Sequence, residues 1–203
     1  MKQSLDDAPI HPLDKGHHTK GSTPFLFVDS CVQIWPDTDY SQLHEYSATA
    51  YCITTFRPND GPENALDAIA NWHRIARTYP GIRIAEEADD IVEAKAAGQA
   101  AIVINSQGGD FLGPNLHRLE MFQRMGLRMM IPAYNTRSTL ADGLFESANA
   151  GLSSMGRAWV KACNRYGIVM DMTHVGERSS LEVLELSEDP VVFSHSNPRA
   201  LVD

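Results

Sequence analysis

The sequence predicts an α/β protein: a parallel (β/α) TIM-like barrel left incomplete, with about six of eight strands present. Three observations carry this. From Phe25 onward, short apolar runs of strand type alternate with segments of helical periodicity. The run Ala100–Asn105 is almost continuously apolar, as a parallel strand covered on both faces should be. Two such runs close on a histidine, Ile168–Thr173 before His174 and Pro190–Ser194 before His195, and the C-terminal ends of barrel strands are where such folds place metal ligands and catalytic groups. A closed barrel takes eight strands and roughly 250 residues. This chain has 203 and reaches its last strand-like run at Val191–Phe193.

Residues 1–24 are polar and punctuated by Pro9, Pro12, Gly16, Gly21 and Pro24, which predicts an N-terminal tail or arm; the barrel domain is residues 25–203. His11, His17 and His18 fall in the tail, where solvation accounts for them. Phe25–Val28 and Ala48–Phe56 are the first two strands. Asn64–Tyr79 follows as a helix whose Leu66, Ile69, His73 and Ala76 share a face, making His73 a core or boundary residue. Glu86–Ala97 is a helix stopped by Gly98, Ala100–Asn105 the third strand, and Pro114–Arg124 a helix with proline in its first turn. Leu127–Ile131 is the fourth strand. Ser153–Tyr166 is the clearest helix, capped by Ser153 and stopped by Gly167, with Met155, Trp159, Ala162 and Tyr166 as its inward stripe. Strands at Ile168–Met172 and Val191–Phe193 flank a last helix, Ser179–Leu186.

Composition sets limits. With 43% hydrophobic and 21% charged residues the chain is an ordinary globular one, and a net charge of −9 without a basic cluster argues against a nucleic-acid surface. No apolar run approaches the ~18 residues of a membrane span, and Met1–Asp7 has no apolar signal core. Three cysteines without paired spacing fit a reducing compartment, so the expected location is cytoplasmic, with no membrane partner.

Four strand ends and one following loop then converge on a single mouth: Asp29-Ser30-Cys31-Val32-Gln33, Ser106-Gln107-Gly108-Gly109-Asp110, Tyr134-Asn135, Thr173-His174 and Ser194-His195-Ser196. Neutral imidazoles bind Zn²⁺ well, and a thiolate at Cys31 would be a softer third ligand. The plainer alternatives are satisfied histidines at strand ends and, for Cys31, a small buried hydrophobe. Gly108-Gly109 permits a sharp turn or a close backbone approach. Asp37 and Asp39 read as a solvated loop, and Asp171 as a group orienting His174 or nearby backbone. Ser194 and Ser196 flank His195 on one strand end, so no Ser–His–acid arrangement follows.

The chain resembles the membrane (renal-type) dipeptidase family of zinc peptidases, among the amidohydrolase-like barrels. The matching segments run in order from Glu87-Ala88-Asp89-Asp90-Ile91 through Ala96-Ala97-Gly98, Gln107-Gly108-Gly109, Tyr134-Asn135 and Asp142-Gly143. They continue through Asn149-Ala150-Gly151-Leu152-Ser153, Gly156, Asn164-Arg165-Tyr166-Gly167, Asp171-Met172-Thr173-His174 and Phe193-Ser194-His195-Ser196-Asn197. The resemblance implies a barrel with two Zn²⁺ ions, held by a His-x-Asp on the first strand, a bridging Glu before Gly-Gly, and one His on each of the fifth and sixth strands. A bridging hydroxide attacks a dipeptide or similar small amide, and an Asp on the last strand assists proton transfer.

Here the His-x-Asp reads Cys31-Val32-Gln33 and the bridging Glu reads Gln107, so Cys31, Gln33 and Gln107 occupy lost-ligand positions. His174 and His195 match. Tyr134 stands where the family has a substrate-contacting His, and with Asn135 is the candidate substrate-binding pair; Asp110 follows Gly-Gly where the family often has His. An amide oxygen is a weak zinc donor and lacks the charge that holds two dications together. The expectation is therefore one Zn²⁺ at most, on His174, His195 and Cys31, in a dipeptidase-like hydrolase of small amides or dipeptides. The alternatives are a metal-free pseudo-enzyme or small-ligand-binding barrel, and a fragment of a longer chain. An unfinished barrel exposes strand edges, for which a homodimer is the simplest cover.

Overall fold

The computed structural model describes residues 25–34, 39–46 and 48–201. The predicted tail, with His11, His17 and His18, and Asp37 of the first loop lie outside the described residues.

The elements alternate along the chain as β1 (Val28–Val32), β2 (Ala50–Thr54), α1 (Pro62–Thr78), β3 (Ile82–Ile84), α2 (Ala88–Ala96), β4 (Ala100–Ser106), α3 (Arg118–Arg124), β5 (Leu127–Met130), α4 (Ser154–Tyr166), β6 (Val169–Met170) and α5 (Glu177–Leu186). All pairings between strands are parallel, in the order β1-β2-β4-β5-β6. β3 takes the edge of β4 over Ala100–Ile102, and β5 pairs with β4 further on, at Ile104–Ser106. One side chain from each of five neighbouring strands, Val28, Cys52, Val103, Met129 and Val169, lines a cavity of about 330 Å³ together with Ala88 and Ile91 of α2. Five strands can share one cavity only if the sheet curls, which is the concave half of a barrel.

Alternation along β4 sends Ile102 and Ile104 to the helical layer. There Ala65, Ile69, Trp72 and Ile75 of α1 form the buried stripe, in contact with Ile53, Ile82, Ile102 and Ile104. His73 sits at the edge of this layer, its Nε2 2.8 Å from the Met125 carbonyl, as a boundary residue should. In α4 the Ser153 hydroxyl accepts from Gly156 N at 2.9 Å and Gly167 closes the helix at φ 65°.

The elements differ from expectation in several places. β1 begins three residues later than the apolar run suggests, at Val28, with the exposed Phe25, Leu26 and Phe27 preceding it. β3 was not anticipated: its three residues are interrupted by Arg83, whose guanidinium turns outward to Glu93 at 2.5 Å. α3 starts at Arg118 and not Pro114, since the Asn115 side chain accepts from His117 N at 3.1 Å and competes with the helical ladder. The sixth predicted strand, Val191–Phe193, reduces to one parallel bridge between Asp171 and Val192. The α4 stripe is also wider than predicted: Trp159, Val160 and Cys163 are fully buried, while Met155, Ala162 and Tyr166 are partly so.

Candidate functional site

The two histidines meet. His174 Nε2 lies 3.0 Å from His195 Nε2, with the rings tilted 63° and their centroids 5.0 Å apart. At that separation one imidazole can donate to the other, or both Nε2 lone pairs would be free to hold one zinc ion. His174 adopts φ 66°, a left-handed conformation that costs a non-glycine residue about 1–3 kcal/mol. The loop after β5 holds it there: Leu144 N donates to the His174 carbonyl at 2.8 Å, and Gly176 N to the Asp142 carbonyl at 2.9 Å.

Each ring is also gripped from behind. His174 Nδ1 lies 2.9 Å from Asn135 Oδ1, and the Tyr134 ring packs on the imidazole with centroids 4.0 Å apart. His195 Nδ1 lies 2.7 Å from Ser194 Oγ, which in turn donates to the Asp171 carboxylate in a short contact. Asp171 is fully buried and also accepts from Thr173 N at 2.9 Å and Ser194 N at 3.2 Å. It thus orients backbone, as expected, and reaches His195 through Ser194 rather than His174. The order is acid–hydroxyl–imidazole, so Ser194 is no nucleophile activated by a histidine. Burial and the neighbouring His195 hold the His174 imidazole below its ordinary pKa, against the opposing pull of Asp171, which favours the neutral, ligand-competent ring.

The lost-ligand positions form a second group. Gln107, almost wholly buried, donates from Nε2 to Cys31 Sγ at 3.1 Å across 76 residues of sequence. Burial, then the Asp171 and Asp29 carboxylates, push the Cys31 thiol above its ordinary pKa, which disfavours the thiolate a metal would need. Gln33 is exposed. Ser30 Oγ donates to the Ser194 carbonyl at 2.8 Å, so the end of β1 reaches the segment that carries His195. Among the described residues no three His, Cys, Asp or Glu side chains form a metal-holding cluster. Among the described residues, the side chains brought together here that would suit a zinc ion are the two imidazoles.

Other predicted residues have local roles. Gly108-Gly109 makes a close backbone approach to protein rather than ligand: a Cβ on Gly108 would lie 2.3 Å from the Pro58 carbonyl oxygen. Asp39 caps a short turn by accepting from Ser41 N at 3.0 Å. Burial raises the Asp110 carboxyl above its ordinary pKa. Sequence reasoning missed Asn105 of β4, register partner of Thr54 on β2, whose buried side-chain nitrogen and oxygen have no hydrogen-bond partner. Asn105 lies two residues before Gln107 on β4. A polar residue ending an otherwise apolar strand was the available signal. Tyr134 and Asn135 line a groove of about 660 Å³ with Arg57, Asn59, Thr136 and Phe145.

Comparison with known proteins bears on the family and the fold. The family model for membrane dipeptidase (peptidase family M19) matches residues 31–203. Dipeptidase tcpJ of Claviceps purpurea is 33% identical over 132 residues, 64% of this chain and 31% of that protein. Mouse dipeptidase 3 is 27% identical over 161 residues, 76% of this chain and 32% of its own length. Among solved structures, an amidohydrolase from Pseudomonas aeruginosa superposes with a TM-score of 0.82 at 26% identity, covering 88% of this chain and 55% of that one. A metallo peptidase from Rhodobacter sphaeroides, liganded with a phosphinate mimic of L-Ala-D-Ala, shares the fold at a TM-score of 0.65 and 22% identity, over 84% of this chain and 52% of its own. The chain thus spans about a third of these curated relatives and about half of the solved chains. It belongs to the membrane dipeptidase family, peptidase family M19.

Proposed function

We propose that this chain carries a dipeptidase-type hydrolase site for small amides or dipeptides, built around a single zinc ion on His174 and His195. The observation that carries the reading is the convergence of two Nε2 atoms to 3.0 Å at adjoining strand ends. A zinc ion bound there supplies a polarised carbonyl and a water whose pKa falls to about 7. The chain's own residues do the rest. Tyr134 and Asn135 border the groove beside His174 and receive the substrate, and Arg57 in the same groove offers a positive charge to a substrate carboxylate. Asp171 and Ser194 hold His195 in place from the buried side. Three free cysteines, two of them buried, support a reducing, cytoplasmic location. Among the described residues no helix is long and apolar enough to cross a membrane.

The Gln107–Cys31 contact favours a second reading, a ligand-binding barrel without catalysis. It occupies two ligand positions of the family pattern with groups that satisfy each other and need no metal. Zinc content separates the two. Elemental analysis of chain prepared without tag histidines or chelator is expected to give close to one Zn²⁺ per chain, lost in a His174→Ala/His195→Ala double variant. A folded chain that takes up no zinc when titrated would overturn the hydrolase reading and leave the binding barrel.

A further inference from the structure

We propose that Ser194 and Asn135 are positioning residues that fix the tautomers of His195 and His174, so that both Nε2 lone pairs face one point. The purpose of this arrangement rests on the metal-site reading, but its evidence is two runs of hydrogen bonds, Asp171–Ser194–His195 and Asn135–His174, whose rings meet at their Nε2 atoms.

The direction of each bond follows from what its partners can donate. The Ser194 hydroxyl donates its single proton to the Asp171 carboxylate. Ser194 Oγ then has only lone pairs left for His195 Nδ1, 2.7 Å away, and the ring nitrogen must be the donor. A neutral imidazole carries one proton; with it on Nδ1, His195 Nε2 presents a lone pair. The same logic holds at the other ring. Asn135 Oδ1, 2.9 Å from His174 Nδ1, accepts only, so His174 also keeps its proton on Nδ1. Asn135 sits at φ 61°, a conformation asparagine tolerates better than most residues, which turns its amide toward the ring. Two lone pairs consequently face each other at 3.0 Å, an arrangement that repels unless a cation lies between them. Asp171 thus governs the His195 Nε2 through a serine, with the carboxylate itself fully buried.

Histidine ¹⁵N chemical shifts, read in long-range correlation spectra of the metal-free chain at pH 8, test the assignment. The expected result is a protonated Nδ1 and an unprotonated Nε2 on His195. Ser194→Ala should release that preference and weaken zinc binding by about 10- to 100-fold, and Ser194→Thr, which keeps the hydroxyl, should restore both. Asp171→Asn carries the sharper expectation. Its amide N–H would donate to Ser194 Oγ, the hydroxyl would donate to His195 Nδ1, and the proton would move to Nε2. Should that variant fail to fold, as its circular dichroism would reveal, the Ala and Thr variants at Ser194 decide alone. An unprotonated Nδ1 on His195 of the unaltered chain, or a Ser194→Ala chain with the tautomer unchanged, would overturn the proposal. The expected tautomers in a chain that binds no zinc would support it and count against the metal reading only.

Discussion

At the scale of single residues, Gly108 and the two histidines make different demands on the chain. A methyl group at Gly108 would meet the Pro58 carbonyl at 2.3 Å, and a backbone oxygen cannot rotate away. Gly108→Ala is expected to cost about 1–3 kcal/mol by overpacking, measured as a shift in urea midpoint with unchanged slope. His174 and His195 were legible in the sequence because each ends an apolar run, and strand ends are readable places. Their grips were not. That Ser194 connects Asp171 to His195 depends on side chains 23 residues apart, and no local period records it. Cys31 illustrates the opposite limit: its spacing allowed a ligand or a buried thiol, and only its contact with Gln107 tells what faces it.

Among the elements, helices with caps and wide stripes were read well, α4 best, because Ser153 and Gly167 are chemical signals at both ends. Short strands were read poorly. β3 has three residues with an arginine in the middle, and Val191–Phe193 is apolar yet bridges only through Val192. What makes either a strand is its neighbour, which a single sequence does not display. The long connection from β5 to α4 is pinned by Asp142, which accepts from Arg137 Nε at 2.5 Å and from Ala150 N at 2.7 Å. The Arg137 guanidinium, then the Ala150 amide, hold its carboxyl below the ordinary range. Its folded pKa is therefore below that of the unfolded chain, and its stabilisation is complete above the unfolded value and fades as pH falls through the folded one. Thermal melts should find Asp142→Asn less stable than the unaltered chain near pH 7, with the gap closing below about pH 4. A constant gap from pH 7 to 2 would show that the carboxylate charge is not what pins the loop.

For the molecule as a whole, the curled parallel sheet was legible from the alternation of apolar runs and helical stripes, and among the described residues its outer strands β1 and β6 each pair with one neighbouring strand. Phe25, Leu26 and Phe27 stand exposed before β1, and Val169, Phe193 and Leu201 at the other end. Apolar residues at open strand edges favour association, so sedimentation velocity of this 203-residue chain should show mass rising with concentration. Phe27→Asp and Phe193→Asp together should suppress it. A strictly monomeric chain at 100 μM would mean that these edges are covered by other means.

The bond from Ser30 to the Ser194 carbonyl joins positions 164 residues apart. On the ribosome that distance becomes time. Cys31 and Gln107 can meet once β4 has emerged, but the stretch from Gln107 to His195 takes roughly 4 to 18 s more to synthesise. If the half of the mouth built on β1 and β4 forms during synthesis, it stands open until the histidines arrive, and a nascent chain stalled between them would present that half to chaperones and proteases alone.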